Sequence, residues 1–148
     1  NMLKNGIKKK NDKILYLVGN CENIPVQDNT YDRVTLSFGL RNITYREKAL
    51  NEIYRILKPG GRFICLEFSK VENKFLKKGY DIWSFKFLPL IGELVTQNRQ
   101  AYQYLVESIR QFPNQDTLAL MMSKANFSRV KYKNLSQGIV ALHSGWKI

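Results

Sequence analysis

Arg41 and Asn42 are the residues best equipped for chemistry. A guanidinium is cationic at every working pH and presents its donors in a planar fork, so it can stabilise negative charge that develops on a reacting oxygen. Other polar residues end apolar runs as strand ends do: Asn20 and Cys21 after residues 14–18, Ser37 near the end of residues 33–38, and Glu67 and Ser69 at the end of residues 62–68. In an open α/β sheet, ligands collect outside the carboxyl ends of the strands. Asn20, Cys21, Ser37, Arg41, Asn42 and Glu67 are therefore the candidate site residues. Each also has a plainer use. Asn20 suits a turn, Ser37 a hydroxyl bonded to its own backbone, and Arg41 a surface ion pair, while Glu67 could contact substrate, bond Arg41 or cap the following helix. The single His143 has no Ser, Cys or carboxylate at triad spacing around it and reads as a satisfied structural imidazole. No His, Cys or carboxylate cluster has metal-ligand spacing, so no metal is expected.

Those positions need a frame. Val34, Leu36 and Phe38 lie in a run apolar enough for a central parallel strand buried on both faces. Thr44 and Glu47 have the spacing of a capping box, and Ala49, Leu50, Ile53, Tyr54 and Leu57 then share one helical face. Pro59 stops that helix, Gly60 and Gly61 allow a tight exit, and residues 62–68 form the next strand, which makes a right-handed βαβ unit. A second helical face follows at Tyr102, Leu105, Val106 and Ile109, ending before Pro113. A third, at Leu118, Met121, Met122 and Ala125, is started by Asn114 or Asp116, and its Met pair reads as core. Two strands at residues 129–135 and 139–143, joined through Ser136, Gln137 and Gly138, close the chain as an antiparallel edge. The fold class is α/β.

The chain has 148 residues, 44% of them hydrophobic, which is material for one domain with a core. No apolar run approaches the roughly 18 residues of a membrane span, and the first residues lack the apolar core of a signal peptide. The sequons at Asn42, Asn126 and Asn134 are accordingly expected to be unmodified, and Cys21 and Cys65, in different elements, to be reduced thiols. A formal charge of +12 invites an anionic partner. The Lys and Arg are scattered, with no helix-turn-helix, stacking motif or zinc pattern, so nucleic acid is not expected. An anionic membrane surface fits dispersed cations better; the alternative is a solvated Lys-rich surface. Residues 75–95 alternate aromatic and aliphatic residues with Lys77, Lys78 and Lys86 around Pro89, which suits a membrane interface or a helical cap on the sheet.

The order strand, helix, Leu57-Lys58-Pro59-Gly60-Gly61, strand resembles the second half of the class I (Rossmann-like) S-adenosylmethionine-dependent methyltransferase fold. The runs Asn20-Cys21-Glu22-Asn23-Ile24-Pro25, Ser37-Phe38-Gly39-Leu40-Arg41-Asn42, Leu66-Glu67-Phe68-Ser69 and Tyr104-Leu105-Val106-Glu107-Ser108-Ile109-Arg110 resemble, more narrowly, the ubiquinone/menaquinone biosynthesis C-methyltransferases. So does the ending from Gly138 to Lys147, and the resemblance spans nearly the whole chain. The Gly-rich strand and the acidic strand that open this fold are absent. Residues 1–148 are thus similar to the C-terminal part of one methyltransferase domain, with residues 70–112 as a helical substrate-cap insertion. The two absent strands belong between those at residues 14–18 and 33–38, so a gap in the sheet is expected there.

The resemblance implies S-adenosyl-L-methionine as cofactor, with Asn20 and Cys21 against its adenine and Ser37 facing its methionine part. It implies C-methylation of a methoxy polyprenyl benzoquinol in ubiquinone biosynthesis, with demethylmenaquinol as the alternative substrate. Arg41 and Asn42 would act at the ring oxygen, and Glu67, Tyr80 and Trp83 would contact the substrate. The rival is a noncatalytic, methyltransferase-like assembly subunit. Expected partners are the polyprenyl benzoquinol, an anionic membrane held peripherally, a quinone-biosynthesis complex and a second copy in a homodimer. The expected location is the matrix side of the mitochondrial inner membrane, with the bacterial cytoplasm at the inner membrane as the alternative.

Overall fold

A computed structural model describes residues 14–71 and 99–148. Its elements run β1 (Tyr31–Ser37), a one-turn helix (Leu40–Asn42), α1 (Arg46–Ile56), β2 (Leu57–Phe68), α2 (Arg99–Gln111), α3 (Gln115–Lys124), β3 (Ser128–Leu135) and β4 (Val140–Trp146). The four strands form one sheet in the order β1-β2-β4-β3. β1 pairs parallel with β2, from Arg33 opposite Arg62 to Ser37 opposite Leu66. β4 lies antiparallel between β2 and β3. The hairpin that closes the chain therefore folds inward, so its last strand pairs beside β2 and β3 becomes the edge.

Alternation along β2 explains which side holds the core. Phe63, Cys65 and Glu67 are buried on one face, whereas Ile64, Leu66 and Phe68 are half-buried on the other. Leu50, Ile53, Leu118, Met122 and Phe127 close over the first face in one cluster with Phe63 and Cys65, and the Phe127 ring meets Tyr54 edge-on at 5.2 Å and Phe63 at 5.5 Å. Burying one side chain as large as Phe63 contributes about 2 kcal/mol. Met122 is fully buried and Met121 packs against the same cluster, as their helical spacing predicts.

Three expectations change. Residues 14–18 are not a strand: Leu15 and Val18 are 80% and 81% exposed. Strand conformation is stabilised by a neighbour's ladder, and no described strand pairs with this run. For the same reason β1 is an edge among the described strands, with Val34 and Leu36 half-buried and Phe38 exposed rather than enclosed on both faces. Thr44 and Glu47 do not form a capping box either. The N-cap of α1 is Tyr45, without a side-chain cap, and the Tyr45 N–H donates to the carboxylate of distant Glu22 at 3.1 Å. For α3 the choice between two caps is settled, since Asn114 accepts from the Thr117 N–H at 2.8 Å.

The exit from α1 depends on both glycines. Gly60 has φ +79°, and at Gly61 a Cβ would stand 2.7 Å from the Lys58 carbonyl oxygen and 3.0 Å from a Leu57 methyl. Because a backbone atom is the obstacle, Gly61→Ala is expected to cost about 2 kcal/mol, measured as a lower urea midpoint at constant m-value. An unchanged midpoint would mean that this turn is not closely packed.

Candidate functional site

At the carboxyl end of β1, Phe38 makes one more ladder bond, its N–H donating to the Leu66 carbonyl at 2.9 Å, and then takes left-handed backbone at φ 53°. The one-turn helix that follows carries Arg41 back over the end of β2. The Arg41 N–H donates to Glu67 Oε2 at 3.2 Å and Arg41 Nη1 to Glu67 Oε1 at 3.0 Å, while Nη1 also donates to the Phe38 carbonyl. The Phe68 N–H completes the set on Glu67 at 2.9 Å. The carboxylate is 1% exposed and the guanidinium 12%, so the ion pair is largely desolvated and depends on these extra donors. The Arg41 guanidinium also lies 5.4 Å from the centre of the Phe68 ring. Of the roles open to Glu67, the bond to Arg41 is the one made among the described residues.

Asn42 stands beside this pair, exposed, and its Oδ1 accepts from the Tyr104 hydroxyl of α2 at 3.1 Å. Sequence reading assigned no role to Tyr104, because the two residues lie 62 positions apart and no local pattern joins them. Ser69 Oγ, just past the end of β2, and Arg41 Nε are both buried without a partner among the described residues. Tyr80 and Trp83 lie outside the described residues.

Asn20 and Cys21 form a separate exposed turn. Asn20 pairs with Asn23, and its Oδ1 accepts from the Glu22 N–H at 2.9 Å. The turn is fixed to α1 rather than to the sheet. Arg55 uses all five of its N–H donors here: Nε and Nη2 bond the Glu52 carboxylate, Nη1 bonds the Val26 carbonyl and Asp28, and Nη2 bonds the Ile24 carbonyl. The Ile24 N–H in turn donates to Glu52 Oε2 at 2.8 Å. Hydrogen bonds from Arg55, opposed by burial, hold the Glu52 carboxyl below its ordinary value of 4.5.

The residues left for a cofactor are uncharged and open. The Asn20 amide nitrogen, the exposed Cys21 and the exposed Ser37 hydroxyl make no side-chain bonds among the described residues. Such a donor and acceptor set fits the adenosine and amino-acid parts of S-adenosylmethionine. Cys65 behaves differently: burial, and then the charge of Glu67, push its thiol up to about 12, which keeps it protonated. His143 Nε2 lies 3.0 Å from the Gln115 carbonyl and donates to it, and burial, opposed by that bond, lowers the pKa of the ring. Its Nδ1 has no partner among the described residues, so the expected satisfied imidazole is satisfied on one side only. No group of three potential metal ligands occurs among the described residues.

An inward-folded antiparallel β4 beside a parallel βαβ unit, with polar groups gathered at the carboxyl edge, defines the class I methyltransferase fold. Solved structures agree. The chain is similar to a SAM-dependent methyltransferase, possibly a histamine N-methyltransferase, from Thermotoga maritima (TM-score 0.61, 24% identity, 89% of this chain and 63% of that one). It is also similar to the Haloferax volcanii putative methyltransferase complexed with the Trm112 methyltransferase activator (TM-score 0.70, 15% identity, 99% and 67%). At these identities the likeness concerns fold alone.

The model of the ubiE/COQ5 methyltransferase family matches residues 1–147, and the chain belongs to that family. It is 53% identical over 137 residues to the ubiquinone/menaquinone biosynthesis C-methyltransferase UbiE of Brucella canis, covering 93% of this chain and 51% of the relative. With UbiE of Bartonella bacilliformis it shares 53% over 133 residues, 90% of this chain and 51% of the relative. The chain thus spans about half the length of the curated relatives it matches.

Two outcomes test this geometry. Glu67→Leu leaves the Arg41 guanidinium buried without its partner and is expected to cost about 3 kcal/mol, most of which the double variant Arg41→Met/Glu67→Leu recovers; simple addition of the two single losses in urea titrations would show that the pair is not coupled. For Glu52 the sign follows from a folded value below the unfolded 4.5: its contribution is present above pH 4.5 and is lost as pH falls through the lower folded value. Glu52→Gln should therefore be less stable at neutral pH and lose less stability on acidification. Parallel stability curves for the two proteins would remove Glu52 from this role.

Proposed function

We propose that this chain serves the S-adenosylmethionine-dependent C-methylation of a quinol ring in quinone biosynthesis, with a methoxy polyprenyl benzoquinol as the substrate. The observation that carries this reading is the 53% identity to UbiE, sustained over 93% of the chain. S-adenosylmethionine supplies a methyl group bonded to a sulfonium sulfur. What the protein must do is hold a ring carbon in line and let the ring oxygen beside or opposite it shed its proton, because the carbon is nucleophilic only as that oxygen becomes anionic.

Arg41 suits the second task by direction rather than by net charge. Glu67 neutralises the pair and holds Nη1, leaving Nη2 without a protein bond among the described residues. An oxygen meeting that open side of the fork gains a donor that does not reorganise during reaction. Asn42, held by Tyr104, supplies a second polar group beside it. Ser37 at the sheet edge, with Asn20 and Cys21 from their separate turn, would hold the cofactor, and residues 70–112 would cover the substrate.

Demethylmenaquinol remains a second substrate reading because the relatives' name carries both quinones. The relatives reported above are bacterial, so we place the reaction at the inner membrane of a bacterium rather than in the mitochondrial matrix. Contact with anionic lipid is peripheral in this reading; no helix among the described residues is long and apolar enough to cross a membrane.

The test is a graft of residues 1–148 onto the N-terminal half of the Brucella canis relative, assayed for transfer of a labelled methyl group to a short-tailed methoxybenzoquinol under reducing conditions. Transfer to a ring carbon is expected, with Arg41→Ala lowering kcat about 100-fold and leaving S-adenosylmethionine affinity within about twofold. No transfer would favour the noncatalytic assembly subunit. Unchanged turnover in Arg41→Ala would reduce that residue to a structural ion pair.

A further inference from the structure

Phe38 combines features that its place in the sheet does not require. Its φ of 53° puts a bulky aromatic in left-handed backbone, where Asn29 and Asn126, also left-handed here, are at home. Such strain persists where the surroundings enforce it. Here the Leu66 carbonyl fixes the Phe38 N–H, and Arg41 donates to the Phe38 carbonyl. Gly would adopt the same turn without strain, and the ring, 38% exposed at the open edge of the sheet, is accessible to a ligand. The ring centre lies 4.9 Å from that of Phe68, with the planes tilted by 45°. The gain from an aromatic pair of this kind and the cost of left-handed backbone are of similar size. The side chain is thus held at the carboxyl edge at no net gain to the fold, beside the residue that presents a guanidinium fork.

We propose that Phe38 and Phe68, flanked by Arg41, form a platform on which the aromatic ring of the substrate lies, its oxygen directed to the open side of the Arg41 fork. The inference rests on the quinol reading and deepens it by naming the surface that recognises the ring. Such a platform selects flat, electron-rich hydroxyaromatic rings over saturated rings of the same outline, because the offset stack depends on a π face. It asks nothing of the ring's tail.

The test uses the full 148-residue chain and titration calorimetry with two probes under reducing conditions: a short-tailed methoxybenzoquinol and a cyclohexanediol carrying the same substituents. The quinol is expected to bind and the saturated ring to bind at least tenfold more weakly. Phe38→Gly and Phe38→Leu should each weaken quinol binding about tenfold, while Phe38→Trp keeps it. Gly relieves the strain and Leu retains it, so the two variants differ in melting temperature but not in affinity. Affinity that follows melting temperature, unchanged affinity in both variants, equal binding of the two probes, or no binding by the parent overturns the platform. Ring binding that depends on Phe38 without methyl transfer in the graft keeps the platform and removes the methylation reading. Methyl transfer with Phe38-independent binding does the reverse.

Discussion

β2 is hydrogen-bonded along both sides, and the rest of the molecule is arranged by that fact. Its parallel partner has to be reached by a crossover, which places α1 over one face. Its antiparallel partner comes from the closing hairpin and stays paired through Phe68, whereas β1 is in register only to Ser37 opposite Leu66, so the end of β2 runs past β1. The projecting end carries Glu67, Phe68 and Ser69. Every contact that organises the candidate site on the sheet side is made to that end: the ion pair from Arg41, the ring of Phe38, and the backbone bond from Ser69 to Ile139.

Much of this frame is visible in the residues. The helix between β1 and β2 follows from Ala49, Leu50, Ile53 and Tyr54 on one face, while Leu57, expected on that face, begins β2 instead; the exit is set by Pro59 and two glycines whose need is confirmed by φ +79° at Gly60 and by crowding at Gly61. The closing strands are longer than their apolar runs suggest, because pairing extends β4 to Trp146 irrespective of local propensity. What the residues hide is anything that depends on distant partners. Thr44 and Glu47 have the right spacing for a cap, yet Glu22 takes the Tyr45 N–H from 23 residues away. Residues 14–18 read as a strand on composition, and composition says nothing about whether a ladder is there to receive them.

The same distinction separates the site residues. Arg41 and Glu67 are legible because each ends an apolar run, and their union follows from β1 and β2 being parallel neighbours. Tyr104 and the conformation of Phe38 are not legible. Tyr104 reaches Asn42 only through tertiary packing of α2, and a reader looking for left-handed backbone in Phe38-Gly39 would choose the glycine. The structure puts the strain one residue earlier, on the side chain with the most to present.

The turn at Asn20 has a different mechanical character from the sheet edge it accompanies. It hangs from Glu52 and Arg55 by charged hydrogen bonds, and one of its anchors, Asp28, has a side chain 66% exposed. Exposed ion pairs weaken as counterions screen them over about 8 Å at physiological ionic strength, whereas Arg41 and Glu67 are shielded by burial. Raising the ionic strength therefore weakens the Asp28 anchor of this turn while the Arg41–Glu67 pair keeps its strength, so the two parts of the molecule answer differently to the same solution.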